Sequence, residues 1–174
     1  ASQMSRTIFS TLLKFLLIAL VQILLLNNIK IFGYIEPMFY IWFIILLPNN
    51  FPKWLVMLLG FLMGLTIDVF SAQVGFHTAT AIFTATIKPL MLSWFTNNFD
   101  INTFSPSAKE MGFANYLGFV SLMVFVHTAI FICIDTFSFS YMGQLLLTLL
   151  FSSIVNIILI MVCDSLFIRS QKDF

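Results

Sequence analysis

Long apolar segments with few charges make up most of this chain. Of its 174 residues, 60% are hydrophobic and 9% are charged. A soluble domain carries about a quarter charged residues, mostly on its surface. A chain within a bilayer needs no such surface, but it must satisfy its backbone polar groups internally. The sequence therefore predicts an all-α integral membrane protein whose main surroundings are the lipid bilayer. The sequence contains no run of basic residues, so it gives no indication of a nucleic-acid partner.

The apolar segments predict a single bundle of six transmembrane helices. Their approximate bounds are 11–26, 35–47, 51–70, 76–95, 115–134 and 141–167. The second segment has 13 residues, whereas an upright helix needs about 20 to cross the hydrocarbon core. It is therefore predicted either to cross as a short helix, which we prefer, or to be re-entrant. Residues 1–3 resemble an expression-tag scar, and residues 4–174 are assigned to one transmembrane domain.

The lysines and arginines predict the orientation of this bundle, because basic loops favour the cytoplasmic side. With six crossings, Lys30 lies on one side and the other seven basic residues lie opposite. Those seven are Arg6, Lys14, Lys53, Lys88, Lys109, Arg169 and Lys172. Both termini are therefore predicted to be cytoplasmic, although a re-entrant second segment would move the N-terminus outside. The turns at 71–75 and 135–141 face outward in either arrangement.

Small residues and a carboxylate share one face of the third predicted helix. Gly60, Gly64 and Asp68 are spaced four apart, and Gly75 follows after a short turn. This spacing places the first three on one stripe, where small residues let another helix approach closely. The stripe is predicted either to pack within the bundle, with Asp68 capping the local turn, or to contact a partner protein. Asp68 is also placed to pair with His77 across the turn.

Other polar residues within the predicted helices are candidates for intramembrane contacts, because exposing them to lipid is costly. Lys88 is predicted either to extend its ammonium group to the cytoplasmic interface or to form an ion pair with Asp164. His127 and Asn156 are predicted to form hydrogen bonds between helices.

Motifs of catalysis and of cofactor binding are not found in the sequence. It has no HExxH, no nucleophilic serine motif, no aspartates paired at matched depth and no glycine-rich phosphate loop. Its two cysteines lie in separate apolar segments without the spacing of metal ligands. The sequence thus predicts a protein that is not an enzyme and that needs neither a metal nor a cofactor.

The spacing of Gly60, Gly64 and Asp68, followed by Gly75, resembles the central signature of the rod shape-determining MreD family. The chain length, the proline-containing loop after the first helix and the compact second segment are also similar. The resemblance spans about residues 4–168, with its motif confined to 60–75. It implies a non-catalytic subunit of the bacterial cell-elongation machinery, the elongasome, that binds MreC, a single-pass protein with a periplasmic domain.

The same resemblance implies further partners and a fold. The family is associated with the MreB filament, the RodA glycosyltransferase and the elongation transpeptidase. The expected role is to organise lateral peptidoglycan synthesis and rod shape from the inner membrane, with a dimer of the complex as one arrangement. The implied fold is similar to the S-component of energy-coupling-factor transporters.

Because a shared fold does not transfer function, that similarity defines an alternative. The chain would then be the substrate-binding S-component of a vitamin or small-molecule transporter. An intramembrane enzyme is a third reading, disfavoured by the missing motifs.

Overall fold

The structure, a computed structural model, describes residues 2–30, 32–33, 35–96, 106–136 and 140–172. This part of the chain is 80% helical and contains no strands, so the predicted all-α fold is confirmed for it. Its α-helices are α1 (Ser2–Leu24), α2 (Ile41–Leu46), α3 (Lys53–Ser71), α4 (Phe76–Ser93), α5 (Ala108–Met111), α6 (Phe113–Asp135) and α7 (Met142–Lys172). A 3₁₀ turn, Leu26–Asn28, follows α1.

Four helical spans in the described residues are long and apolar enough to cross a bilayer. They are Ser2–Asn28, Lys53–Ser71, Phe113–Asp135 and Met142–Phe167. The outer faces of α1 and α7 carry exposed apolar side chains, among them Leu16 and Leu150, which suits contact with lipid tails. These four spans indicate a membrane protein. The other two predicted crossings, at residues 35–47 and in the more polar α4, are not among these four spans.

Two predicted helices differ most in extent from the structure: α1 begins at Ser2, nine residues before its predicted start, and residues 35–47 are helical only in part. A continuous helix was expected here, but α2 covers only Ile41–Leu46, and residues 35–40 are not helical. Pro48 explains where α2 ends, because the residue before a proline is driven out of the helical conformation. Leu47 has accordingly an extended backbone, with φ −59° and ψ 132°. The continuous second helix predicted from the sequence is thus corrected to a helix of six residues.

The short helix α2 lies inside the bundle and not on its surface. Tyr40, Ile41, Ile44 and Ile45 are completely buried, and α2 packs against α1, α4 and α6. A helix that is apolar on every side is stable when it is enclosed by other elements. In this protein α2 supplies the centre of the hydrophobic core, which the longer helices surround.

One end of the bundle, which we name the turn end, contains the turn between α3 and α4. At this end Asn27 Nδ2, just after α1, donates to Ser71 Oγ at the end of α3 over 2.8 Å. The ring of Phe131, near the end of α6, stacks on His77 at the start of α4 with centroids 4.7 Å apart. The ends of α1, α3 and α6 therefore meet the start of α4 here.

The opposite end of the bundle, which we name the lysine end, contains the start of α3 at Lys53. Lys88, in the second half of α4, donates from Nζ to the carbonyl oxygen of Leu47 at 2.6 Å. Tyr116, at the start of α6, donates its hydroxyl to Asp164 Oδ1 near the end of α7 at 3.2 Å. The four helices α3, α4, α6 and α7 thus alternate in direction between the two ends.

The α3–α4 turn is formed by two residues with left-handed backbone conformations. Ala72, at φ 54°, donates its backbone N–H to the carbonyl oxygen of Asp68, which is a usual way of ending a helix. Gly75, at φ 79°, precedes α4, and glycine adopts this conformation at little cost. The turn predicted at 71–75 is confirmed.

Parts of two predicted loops lie outside the described residues. These parts are 97–105, within the polar stretch 97–113, and 137–139, within the turn 135–141. The rest of the polar stretch forms the short helix α5, whose first turn is capped by Ser107 Oγ accepting from the backbone N–H of Glu110.

Candidate functional site

The glycine stripe of α3 packs against α4 within the bundle. A Cβ atom added at Gly64 would lie 2.6 Å from Cα of Thr78 and 2.7 Å from the carbonyl oxygen of His77. One added at Gly60 would lie 3.0 Å from Cβ of Ala85. The two helix backbones therefore approach as closely as small-residue spacing allows. Of the two predicted uses of this stripe, the structure shows the intramolecular one.

Asp68 binds the beginning of the neighbouring helix α4. Its Oδ1 accepts from the backbone N–H of His77 at 3.0 Å, and its Oδ2 accepts from the backbone N–H and the hydroxyl of Thr78 at 2.9 and 2.5 Å. A carboxylate is favoured there because the first N–H groups of a helix are unpaired and carry partial positive charge. The carboxylate thus contacts the backbone of His77, whereas the sequence also allowed a pair with its imidazole.

A chain of hydrogen bonds, which we name the central polar chain, runs through the middle of the bundle. The Tyr40 hydroxyl lies 2.9 Å from His77 Nδ1 and 2.7 Å from His127 Nε2. The other ring nitrogen of His127, Nδ1, lies 2.9 Å from Thr84 Oγ1. Tyr40, Thr84 and His127 are completely buried. The chain thereby joins the residues before α2 to both α4 and α6.

One assignment of protons gives every bond of the central polar chain a donor and an acceptor. The Thr84 hydroxyl donates to the carbonyl oxygen of Thr80 at 2.8 Å, so its oxygen accepts from Nδ1–H of His127. Nε2 of His127 then accepts from the Tyr40 hydroxyl, whose oxygen accepts from Nδ1–H of His77. Both histidines are neutral in this assignment, which avoids a buried positive charge.

The non-helical backbone before α2 is paired by side chains of α1 and α7. Gln22 donates from Nε2 to the carbonyl oxygen of Pro37 at 2.9 Å and accepts at Oε1 from the N–H of Phe39 at 2.7 Å. Asn156 Oδ1 accepts from the N–H of Met38 at 2.8 Å. Irregular backbone at membrane depth is tolerated where it is buried in protein and its polar groups are paired. The predicted interhelical role of Asn156 is thus a bond to this segment.

Lys88 and Asp164 have separate partners, so the predicted ion pair between them is not formed. The ammonium group of Lys88 donates to Leu47, and the carboxylate of Asp164 accepts from Tyr116. Lys88 is 3% exposed, so its ammonium group is bound inside the bundle, whereas the sequence also allowed it to extend to the cytoplasmic interface. Because α2 ends before Pro48, no N–H group of a following helical turn binds the carbonyl oxygen of Leu47. This oxygen is therefore available to the ammonium group.

Two adjoining polar cavities, together named the turn-end cavity, open at the turn end. Their volumes are about 260 and 300 Å³, and both are lined by Lys30, Glu36, Met38 and Gln73. The Lys30 ammonium group lies 3.1 Å from Glu36 Oε1, at the boundary between them. The first lobe reaches His77, and the second reaches α6 and α7. The residues from α6 and α7 include Thr128, Phe131, Asp135, Thr148 and Ser152.

Several of these site residues were not identified from the sequence. Tyr40 joins the residues before α2 to α4 and α6, and Gln22 joins α1 to the same residues. Each is a single polar residue in or beside an apolar segment. The signal that could have found Gln22 is its position within an otherwise apolar helix, where an amide needs a partner. Tyr40 gave no such signal, because tyrosine is also common at membrane interfaces.

Comparisons of the chain with protein-family models, curated proteins and solved structures found no match. The chemistry of the site therefore has to be inferred from its geometry. Among the described residues, no group of three or more His, Cys, Asp or Glu side chains could hold a metal ion. The buried histidines, Tyr40 and Asp68 form hydrogen bonds with other groups of the bundle, and this is the observation from which we infer a function.

Proposed function

We propose that this protein is a non-catalytic scaffold subunit of the MreD type in the bacterial inner membrane. It binds an MreC-like single-pass protein and, through it, MreB, RodA and the elongation transpeptidase. In this way it helps to organise lateral peptidoglycan synthesis and rod shape. A dimer of the complex is part of the same hypothesis.

The observation that supports a scaffold is the use of the buried polar groups. In the described bundle, the side chains with catalytic potential bind each other: Tyr40 bridges His77 and His127, and Asp68 caps α4. Such bonds hold helices in fixed positions and give these four side chains structural roles. A rigid body that lies almost wholly within the membrane suits a protein that positions partners.

The proposal includes six passages of the chain across the membrane, with both termini in the cytoplasm. Residues 35–47 connect opposite ends of the bundle, since Pro37 is bonded to Gln22 near the turn end and Leu47 to Lys88 towards the lysine end. This segment would be the second passage, partly unwound and shielded from lipid. The similarity to the S-component fold is proposed on the same six-passage arrangement.

The partner's helix cannot use the glycine stripe, because α4 already covers it. A shallow apolar groove between α7 and the residues that follow α1, about 370 Å³ in volume, is the surface we propose instead. It is lined by Leu26, Ile29 and Pro37 on one side, and by Val155, Ile158, Leu159 and Val162 of α7 on the other. A single apolar helix in this groove would gain close packing that lipid tails do not supply.

An affinity purification from native bacterial membranes in mild detergent tests this proposal. We expect a single-pass MreC-like protein to copurify with the native protein, and to be lost when Ile158→Trp fills the groove. Leu58→Trp on α3 is the matched control, because Leu58 is exposed elsewhere on the apolar surface, and it should retain the partner. Recovery of no such protein would contradict the scaffold function. Equal recovery with both variants would contradict the proposed groove.

A second candidate function is favoured by the turn-end cavity. An S-component would need a polar pocket near the extracytoplasmic surface, and the positive-inside rule predicts that side for the turn end. The same purification separates the two functions. Paired ATPases and a coupling membrane subunit, in place of a single-pass protein, would identify a transporter component.

A further inference from the structure

The described wall of the turn-end cavity carries more negative than positive formal charge. Its charged groups are Lys30, Glu36 and Asp135, and its further titratable side chain is His77. The ammonium group of Lys30 is paired with Glu36. Within the described residues, Asp135 has no ion-pair partner although it lines the cavity. With His77 neutral, the wall carries one uncompensated carboxylate.

Buried polar atoms in the same wall have no hydrogen-bond partner. Gln73 Oε1 and Thr128 Oγ1 are unpaired within the described residues, and both residues line the cavity. Thr128 is only 1% exposed, so the bulk solvent does not satisfy its hydroxyl. Because unpaired buried polar groups are costly, these two atoms are available to a molecule in the cavity, whether water or a ligand.

We propose that the turn-end cavity binds a primary ammonium group. Such a group offers three N–H donors and a positive charge. It would satisfy the Gln73 carbonyl oxygen by hydrogen bonding and compensate Asp135. A charge-assisted bond to a carboxylate is about twice as strong as a neutral one, so Asp135 is expected to provide most of the selectivity. An anionic ligand would meet the uncompensated carboxylate, and a purely apolar one would leave Gln73 and Thr128 unpaired.

An ammonium group could come from two sources that share this chemistry. One is a free small amine, which lobes of about 260 and 300 Å³ accommodate with its bonded groups. The other is the ethanolamine headgroup of a phospholipid whose tails lie along the bundle. The proposal concerns a site that the scaffold function does not use, so the binding of an ammonium group stands or fails independently of the MreC-like partner.

The free-amine source is tested by thermal unfolding of the purified protein in a zwitterionic detergent without ethanolamine lipids. Ethanolamine is the probe, and ethylene glycol, which lacks the ammonium group, is its neutral counterpart. Asp135→Asn should weaken any ethanolamine-dependent stabilisation about tenfold, as for the loss of one charge-assisted bond. Glu110→Gln, which removes an exposed carboxylate at the lysine end, should leave it unchanged.

The lipid source is tested in nanodiscs of phosphatidylethanolamine and, separately, of phosphatidylcholine, whose quaternary headgroup has no N–H donor. Greater stability in phosphatidylethanolamine, reduced by Asp135→Asn and not by Glu110→Gln, identifies the headgroup. A response to ethanolamine with the same variant pattern identifies a free amine. The proposal is overturned if neither the amine nor the lipid stabilises the protein relative to its counterpart, or if Asp135→Asn responds like Glu110→Gln.

Discussion

The central polar chain and the turn-end cavity are both polar regions within an apolar bundle, but they differ in how fully their hydrogen bonds are satisfied. In the central polar chain, Tyr40 bridges both histidines over distances of 2.7 and 2.9 Å. In the cavity wall, Gln73 Oε1 and Thr128 Oγ1 have no partner within the described residues. The first region holds helices together, and the second is available to a ligand.

Packing around each region accounts for this difference. The central polar chain lies beside the closest helix contact of the bundle, where Gly64 lets α3 approach the backbone of His77. Tyr40, Thr84 and His127 are completely buried there, so their polar atoms need protein partners. The cavity lies where the ends of α1, α3 and α6 diverge from the start of α7, and space remains. In these two regions, the polar groups are paired where the helices are close and partly unpaired where they separate.

The largest effect is expected from Gly64→Leu, which should separate α3 from α4 and displace His77 from the central polar chain. A Cβ atom at Gly64 would meet backbone atoms at 2.6–2.7 Å, and backbone cannot move aside as a side chain can. We expect a loss of at least about 3 kcal/mol of unfolding free energy, measured by equilibrium unfolding in mixed SDS micelles. Gly143→Leu is the control, because nothing lies within 4 Å of a Cβ atom there, and equal loss in both variants would refute the close contact.

Asp68→Ala should have the next largest effect, because it removes the acceptor of three hydrogen bonds at the start of α4. The freed N–H groups of His77 and Thr78 are buried, so we expect a loss of about 2–3 kcal/mol. Hydrogen exchange at the first turn of α4 measures the effect directly and should become faster. The comparison variant is Asp135→Ala, which removes an exposed carboxylate and should leave this exchange unchanged.

Tyr40→Phe tests whether the central polar chain stabilises the bundle. It removes one hydroxyl and leaves a nitrogen of His77 and one of His127 without partners, for an expected loss of about 1–2 kcal/mol. The measurement is again unfolding in mixed SDS micelles. Tyr141→Phe, at a position 74% exposed, should cost almost nothing. A Tyr40→Phe protein as stable as the native one would remove the energetic distinction between the two polar regions.

The smallest change is expected from Thr128→Val in the cavity wall. Its hydroxyl has no partner in the described residues, so replacing it by a methyl group of similar size should be neutral or stabilising by up to about 1 kcal/mol without a ligand. Thr84→Val is the matched variant in the central polar chain, where the hydroxyl is bonded to His127, and it should be destabilising. Equal losses in the two variants would show that the Thr128 hydroxyl is bonded after all.

Much of the helical hairpin formed by α3, the turn at 71–75 and α4 could be predicted from the sequence, because its causes are local. Four-residue spacing brings Gly60, Gly64 and Asp68 onto one face, and the turn at 71–75 keeps α3 and α4 adjacent. The short length of segment 35–47 likewise indicated an unusual element. Its non-helical half could not be predicted, since it depends on Gln22 and Asn156, which are distant in sequence.

The interpretation of the charged residues was less successful, for a related reason. An ion pair between Lys88 and Asp164 was one of two predictions for Lys88, and the sequence does not indicate the direction in which either side chain points. The carbonyl oxygen of Leu47 could not be predicted as a partner of Lys88, because it is available only where α2 ends before Pro48.

The sequence by itself determined that this chain is helical, apolar and suited to a membrane, because hydropathy and spacing act through neighbouring residues and the solvent. It also determined which residues of α3 share one face, but not which element that face contacts. Only the tertiary structure decided that α2 is enclosed, that Tyr40 joins two histidines and that Lys88 binds Leu47. These contacts join residues about 40 to 90 positions apart, and such contacts are set by the packing of whole helices and not by any local pattern.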